Sequence, residues 1–277
     1  MKTLWKGAVS FGLVNIPVSM YTATQSKDLK FNYLHRECMS PIKYQKYCPR
    51  CEKEISSDEI VRGYEYAKGN YVVINEEDLE RIPHESTKTI DILDFVNLEQ
   101  VDPVFFDKTY YLESSPGGEK AYALIVEAMK KTKKIAIAKV LIRSKESLAA
   151  LRVKDNYLLM ETIFYPDEIR SPASLNSGID RSRLHENELK MAVSLIENLS
   201  TNFEPSNYQD NYRQALWQMI EAKIAGQEIV APEPVAATGR VVDLMEALKA
   251  SVKLAEDNRK ESRKQSKTPR KKVGSGV

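Results

Sequence analysis

The sequence predicts a mainly β fold with α elements, closed into a barrel or continuous sheet. Three observations lead there. Runs of β-branched, aromatic and apolar residues, bounded by Gly, Pro, Asn or Asp, recur from Leu4 to Tyr165. Sustained helical periodicity appears once inside that stretch and otherwise only after Pro172. The strands are short and joined by turn chemistry instead of helical crossovers, as in antiparallel barrels.

Residues 4–21 alternate first as Trp5, Val9, Phe11 and Leu13, then as Val14, Ile16, Val18 and Met20. The change of face at Leu13-Val14, with Gly12 beside it and Pro17 beyond, predicts a bulge or bend in one long strand. Further strands are expected over 30–35, 42–47, 60–66, 71–74, 87–96 and 104–112. Asn75 with Asp78 three residues on marks the start of a short helix through Arg81. After the loop Pro116-Gly117-Gly118, Tyr122, Ile125, Val126 and Met129 stand at helical spacing. Three strands follow, over 135–142, 148–153 and 156–165, with Asp155-Asn156 as the turn between the last two. Beyond Pro172, Leu189, Val193, Ile196 and Leu199 predict one helix, and Tyr212, Leu216, Met219, Ile220 and Ile224 a second that stops at Gly226. Two prolines in residues 231–239 make a linker. Val241, Leu244, Met245, Leu248, Val252 and Ala255 form a last amphipathic helix. The expected organisation is a core over 1–185, an arm over 186–230, a linker over 231–239, a helix over 240–257 and a disordered basic tail over 258–277.

With 277 residues, 42% hydrophobic and 29% charged, the chain can bury one large core. No run reaches the length of a membrane span, and the start MKTLWKGAVSFG has no apolar signal region, so a cytoplasmic protein without membrane contact is expected.

Charge is sorted into opposed blocks, although the net charge is only +2. Residues 130–154 hold nine Lys or Arg against Glu146 alone, whereas 76–102 hold nine acids against Arg81 and Lys88. Residues after 258 add eight basic residues against Glu261. This is the footprint of a polyanion binder. Strands of eight to ten residues span about 30 Å, close to one turn of duplex DNA at roughly 34 Å, so cationic hairpins could lie along a phosphate backbone. Lys130, Lys131, Lys133, Lys134, Arg143, Lys145, Arg152 and Lys154 are the expected backbone contacts, with Lys139 in mid-strand set aside. In the tail, Arg259, Lys260, Arg263, Lys264, Lys267, Arg270, Lys271 and Lys272 read as a DNA tether or, alternatively, as a solubility segment.

His35-x2-Cys38 and Cys48-x2-Cys51 pair two ligand doublets across a short gap, and three cysteines without a signal peptide argue against a disulfide framework. The spacing suits a closed tetrahedral Zn2+ site, structural because no position stays open for water. It would staple the tip of a hairpin over 30–55; Glu37 or Glu52 could substitute should His35 face away. No Gly-rich phosphate loop, G-x-S-x-G, H-E-x-x-H or D-x-D cluster occurs. His84 and His185 stand alone, and Asp167-Glu168 read as a solvated turn, so nothing recommends an enzyme.

Three passages then carry a resemblance: LWKGAVSFGLVNIPVSMY, AYALIVEAMKKTKKIAIAKVLIRSKESLAALRVKDNYLLMETIFYPDEIR and NYRQALWQMIEAKIAGQEI. In order and across nearly the whole chain, they resemble the bacterial Ku proteins of non-homologous end joining. The resemblance implies a Ku-type β-barrel core with a hairpin arch, forming a homodimeric ring around double-stranded DNA ends regardless of sequence. It also implies recruitment and stimulation of the ATP-dependent DNA ligase D. GRVVDLMEALKASV resembles the family's ligase-contacting segment, which puts that contact on Val241, Leu244, Met245, Leu248 and Val252. Residues 157–165, 186–200 and 208–227 are expected to contribute to the dimer. A non-specific architectural or single-strand-binding DNA protein without end preference is the alternative, and 14 tyrosines would suit base stacking.

Overall fold

Gly12 decides the first departure from expectation. With φ at +59° it opens a two-residue turn between Phe11 and Val14, which pair, so residues 4–21 form a hairpin instead of one bent strand. Its strands are β1 (Trp5–Phe11) and β2 (Val14–Thr22). The structure, a computed structural model, describes residues 1–82, 88–142, 145–175, 180–227 and 244–265.

After Thr22 the chain leaves the sheet. It forms β3 (Tyr47–Cys48), β4 (Lys53–Glu54), β5 (Arg62–Ala67), β6 (Asn70–Ile74) and the short helix α1 (Glu76–Glu80), where the Asn75 N–H donates to the Asp78 carboxylate at 2.9 Å as the sequence spacing predicts. The expected strands over 30–35 and 42–47 are absent apart from β3; a single bridge, Leu34 with Pro41, stands in their place. Nearly every side chain there is exposed, so no core holds a ladder together.

The chain re-enters the sheet as β7 (Thr89–Asn97) and continues through β8 (Phe106–Ser114), α2 (Glu119–Thr132), β9 (Lys134–Ile142), β10 (Lys145–Lys154) and β11 (Tyr157–Ile163). Seven strands close in the order β1-β2-β8-β11-β10-β9-β7, antiparallel except for the parallel seam of β1 with β7. Gly7 is required at that seam. A Cβ there would lie 2.3 Å from the Lys88 carbonyl oxygen and 2.2 Å from the Trp5 ring.

Ile16, Met20, Ile90, Leu112, Leu151 and Met160 fill the barrel, each fully buried. Ile125, Val126 and Met129 of α2 join the same core, as their helical spacing requires. The Tyr122 hydroxyl donates to the Leu112 carbonyl (2.6 Å) and accepts from the Leu158 N–H (2.8 Å), clamping α2 across β8 and β11.

A second cluster on the outer wall, Ile135, Ala150 and Ile163, is covered by Val101 and Phe105. Strands β9, β10 and β11 are therefore apolar on both faces, which explains their near-continuous hydrophobic sequence. This corrects one expectation. The basic residues do not line the length of a projecting hairpin, because these strands are barrel staves with little free face.

Residues Met1–Pro172 make one compact unit and Ala173–Val277 another. In the second, α3 (Glu186–Leu199) packs against α5 (Leu244–Gln265), and α4 (Asn211–Ile224) lies between them in sequence. Helix α5 runs past the expected end at residue 257 into the segment read as a disordered tail. No Gly or Pro interrupts it, and its Lys, Arg, Glu and Gln are good helix formers despite their charge. Residues 266–277 and the linker over 231–239 lie outside the described residues. Among the described residues, no helix is long and apolar enough to cross a membrane.

Candidate nucleic-acid interface

Helix α2 ends at Thr132, and Lys133 adopts a left-handed conformation (φ +54°) that turns the chain straight into β9 at Lys134. That costs about 1–2 kcal/mol for a residue other than glycine. The reversal gathers Lys130, Lys131, Lys133 and Lys134 at one corner. Asp155 (φ +48°) and Asn156 (φ +72°) form the tight turn between β10 and β11, and the Lys130 ammonium donates to the Asn156 side-chain oxygen and to Glu127 at 3.2 Å. Exposed Lys154 therefore joins the corner. Five of the eight predicted core cations meet at one rim of the barrel.

Of the other three, Arg152 and Lys145 are placed differently, and the third is not among the described residues. Arg152 is held by Glu161 through two bonds, Nε to Oε2 at 2.9 Å and Nη2 to Oε1 at 2.6 Å, and Glu161 is only 8% exposed. The bonded carboxylate raises the Arg152 pKa further. Lys145 stands at the opposite rim, 3.4 Å from Glu168, and Arg143 lies outside the described residues. Mid-strand Lys139 pairs with Glu146 at 3.1 Å. Around that opposite rim the Tyr165 hydroxyl donates to Glu146 at 3.0 Å; burial, that bond and the neighbouring acids push its pKa up to about 12.

In the tail, Arg259, Lys260, Arg263 and Lys264 fall on α5, whereas Lys267, Arg270, Lys271 and Lys272 lie outside the described residues, as does Val241. Met245, Leu248 and Val252 are half-buried on α5, which packs against α3; Leu244 begins the helix.

Sequence reasoning missed a second cation-rich surface. Strand β2 ends at Thr22 and β7 begins at Thr89, both toward the Lys145 side of the barrel, and the residues between them leave the sheet there. Within that stretch, residues 29–51 carry Lys30, Arg36, Lys43, Lys46 and Arg50 against Glu37 alone. Phe31, Tyr33, Tyr44 and Tyr47 are 55–84% exposed among them. The signal was present as Lys43-Tyr44-Gln45-Lys46-Tyr47, but its position beside the cysteines drew it into the metal reading.

The four expected metal ligands form two doublets. His35 Nδ1 lies 3.3 Å from Cys38 Sγ, so His35 does face its partner. The Ser40 hydroxyl and N–H, then His35, bring the Cys38 pKa down to about 7. The Cys51 N–H and thiol lower that of Cys48, while the same thiol contact raises that of Cys51. Each doublet is followed by a left-handed residue, Met39 at φ +54° and Glu52 at φ +49°. The donor chemistry and matched turns fit zinc. Among the described residues no three potential ligands are gathered around one point, so the two doublets stand as separate pairs.

Comparison with known proteins completes the description. The family model of the Ku70/Ku80 beta-barrel domain matches residues 10–191. The Non-homologous end joining protein Ku of Symbiobacterium thermophilum is 52% identical over 260 residues, covering 94% of this chain and 64% of its own length. Its counterpart in Bacillus subtilis is 48% identical over 254 residues, covering 91% and 82%. That of Heliobacterium modesticaldum is 45% identical over 273 residues, covering 99% of both chains. The chain thus spans a little under two thirds of the first relative and nearly all of the third.

Proposed function

Because the chain belongs to the Ku family of non-homologous end joining proteins, we propose that it binds double-stranded DNA ends irrespective of sequence, as a homodimeric ring, and acts as a binding protein, not an enzyme. The observation that carries the proposal is a rigid barrel with a cation-rich corner made by Lys130, Lys131, Lys133, Lys134 and Lys154. Charges fixed on a preformed scaffold meet phosphates without reading bases, which suits a protein that must accept any end. Competition between linear and covalently closed duplex tests it.

One barrel cannot surround a duplex, so ring closure requires a second copy, most simply by two-fold symmetry. Exposed apolar residues support the helical unit as part of that contact: Leu189, Val193 and Ile196 on α3, and Tyr212 and Trp217 on α4, are 45–78% exposed. Strand β11 contributes less than the sequence suggests, since Tyr157 alone among its residues is exposed.

Ligase D recruitment is placed on α5 with α3 as its base. Full-length chain is expected to stimulate ligase D on linear duplex, and a chain truncated before Gly239 to lose that stimulation while retaining DNA binding; undiminished stimulation would reject the placement. The basic residues from Arg259 onward serve as a tether for duplex beyond the ring.

Zinc belongs to the same reading. His35, Cys38, Cys48 and Cys51 would hold it, and the ion would draw the two doublets together and staple the extension. Purified protein is expected to carry stoichiometric zinc by elemental analysis, and Cys48→Ser with Cys51→Ser to lose it, with faster proteolysis confined to residues 29–59. Metal-free wild-type protein after zinc supplementation would remove zinc from the account.

A further inference from the structure

We propose that the extension over 29–51 is a stacking platform for unpaired nucleotides at a DNA end. This rests on the end-binding function proposed above and names a second substrate element for it. The bridge between Leu34 and Pro41 is continued on either side by bonds from the His35 N–H to Ser40 O and the Ile42 N–H to Tyr33 O, both at 2.9 Å. That register sets Tyr33 opposite Ile42, with Phe31 two residues before the one and Tyr44 two residues after the other. They are 67% (Phe31), 73% (Tyr33), 50% (Ile42) and 84% (Tyr44) exposed. Aromatic side chains this open are not core.

The flanking charge selects the occupant. Lys30 and Lys43 alternate with the aromatic positions, Lys46 and Arg36 stand close in sequence, and all four are exposed. Glu37 is the single carboxylate in residues 29–51. A protein partner would be met by mixed charge around an apolar centre, whereas rings interleaved with cations match the alternation of base and phosphate in a single strand. Duplex DNA buries its base faces and cannot use the rings, so the platform acts where bases are unpaired.

The test uses full-length protein with a blunt duplex and with the same duplex carrying a single-stranded thymidine overhang. Wild type is expected to bind the overhang duplex about tenfold more tightly, the scale of one to two stacked bases. Phe31→Ala with Tyr44→Ala should abolish that advantage and leave blunt-end affinity unchanged. Tyr44→Phe should keep it and Tyr44→Leu should lose much of it, because leucine preserves apolar area without a ring face. Equal wild-type affinity for both duplexes overturns the inference while end binding stands. Retention of the advantage by the double variant or by Tyr44→Leu, or an equal loss on blunt duplex, overturns it as well. Failure of wild type to bind any duplex would instead strike the function on which it rests.

Discussion

A covalently closed circular duplex is expected to compete about a thousandfold more weakly than the same duplex linearised, at one salt concentration. The size of the effect comes from topology. Lysines on a surface patch would attract any duplex, closed or open, with an affinity falling with log salt at a slope of about −0.9 per phosphate neutralised. Lysines on the inside of a collar meet a duplex only after an end has been threaded. The structure contributes rigidity: Lys130 is tethered to Asn156, Lys133 is fixed in a left-handed turn, and Lys134 begins a stave with Ala136, Ala138 and Val140 in the core. Such cations lose little freedom on binding, so the contact does not depend on loop ordering. Equal binding of circle and line would favour the architectural reading, in which the same lysines coat the outside of DNA.

Arg152→Ala is expected to lower the stability of the barrel by about 2–3 kcal/mol and to leave the salt dependence of DNA binding unchanged. Glu161 has a side chain only 10% exposed, and without its partner it becomes an unpaired charge against the outer wall. The cost falls below that of a fully buried pair because the Arg152 side chain is 30% exposed. Urea unfolding should show a lower midpoint at unchanged slope, and replacing both residues, Arg152→Met with Glu161→Leu, should recover most of the loss. Stability within about 0.5 kcal/mol of wild type, together with a shallower salt slope, would return Arg152 to the DNA contacts.

What the sequence made legible follows from periodicity and turn chemistry. The apolar runs of β9 to β11, the spacing of Tyr122, Ile125, Val126 and Met129, and the turn at Asp155-Asn156 each have one physical solution, and the structure adopts it. Arg152 was illegible because its partner sits nine positions away on the neighbouring strand, and no local pattern marks a diagonal pair. The hairpin at Gly12 was missed because Gly-Leu between two alternating runs suits either a bulge or a tight turn. The extension between Thr22 and Thr89 was hardest. Its expected strands at 60–66 and 71–74 form as β5 and β6, whereas 30–35 and 42–47 have strand-like composition but exposed side chains and only one bridge.

That extension departs from β2 and returns to β7, neighbours on either side of β1 at the same rim. Every stave of the barrel keeps its partners whatever happens between those two stems. Evolution can therefore lengthen, shorten or rewrite the insert as a cassette without reopening the question of whether the barrel folds.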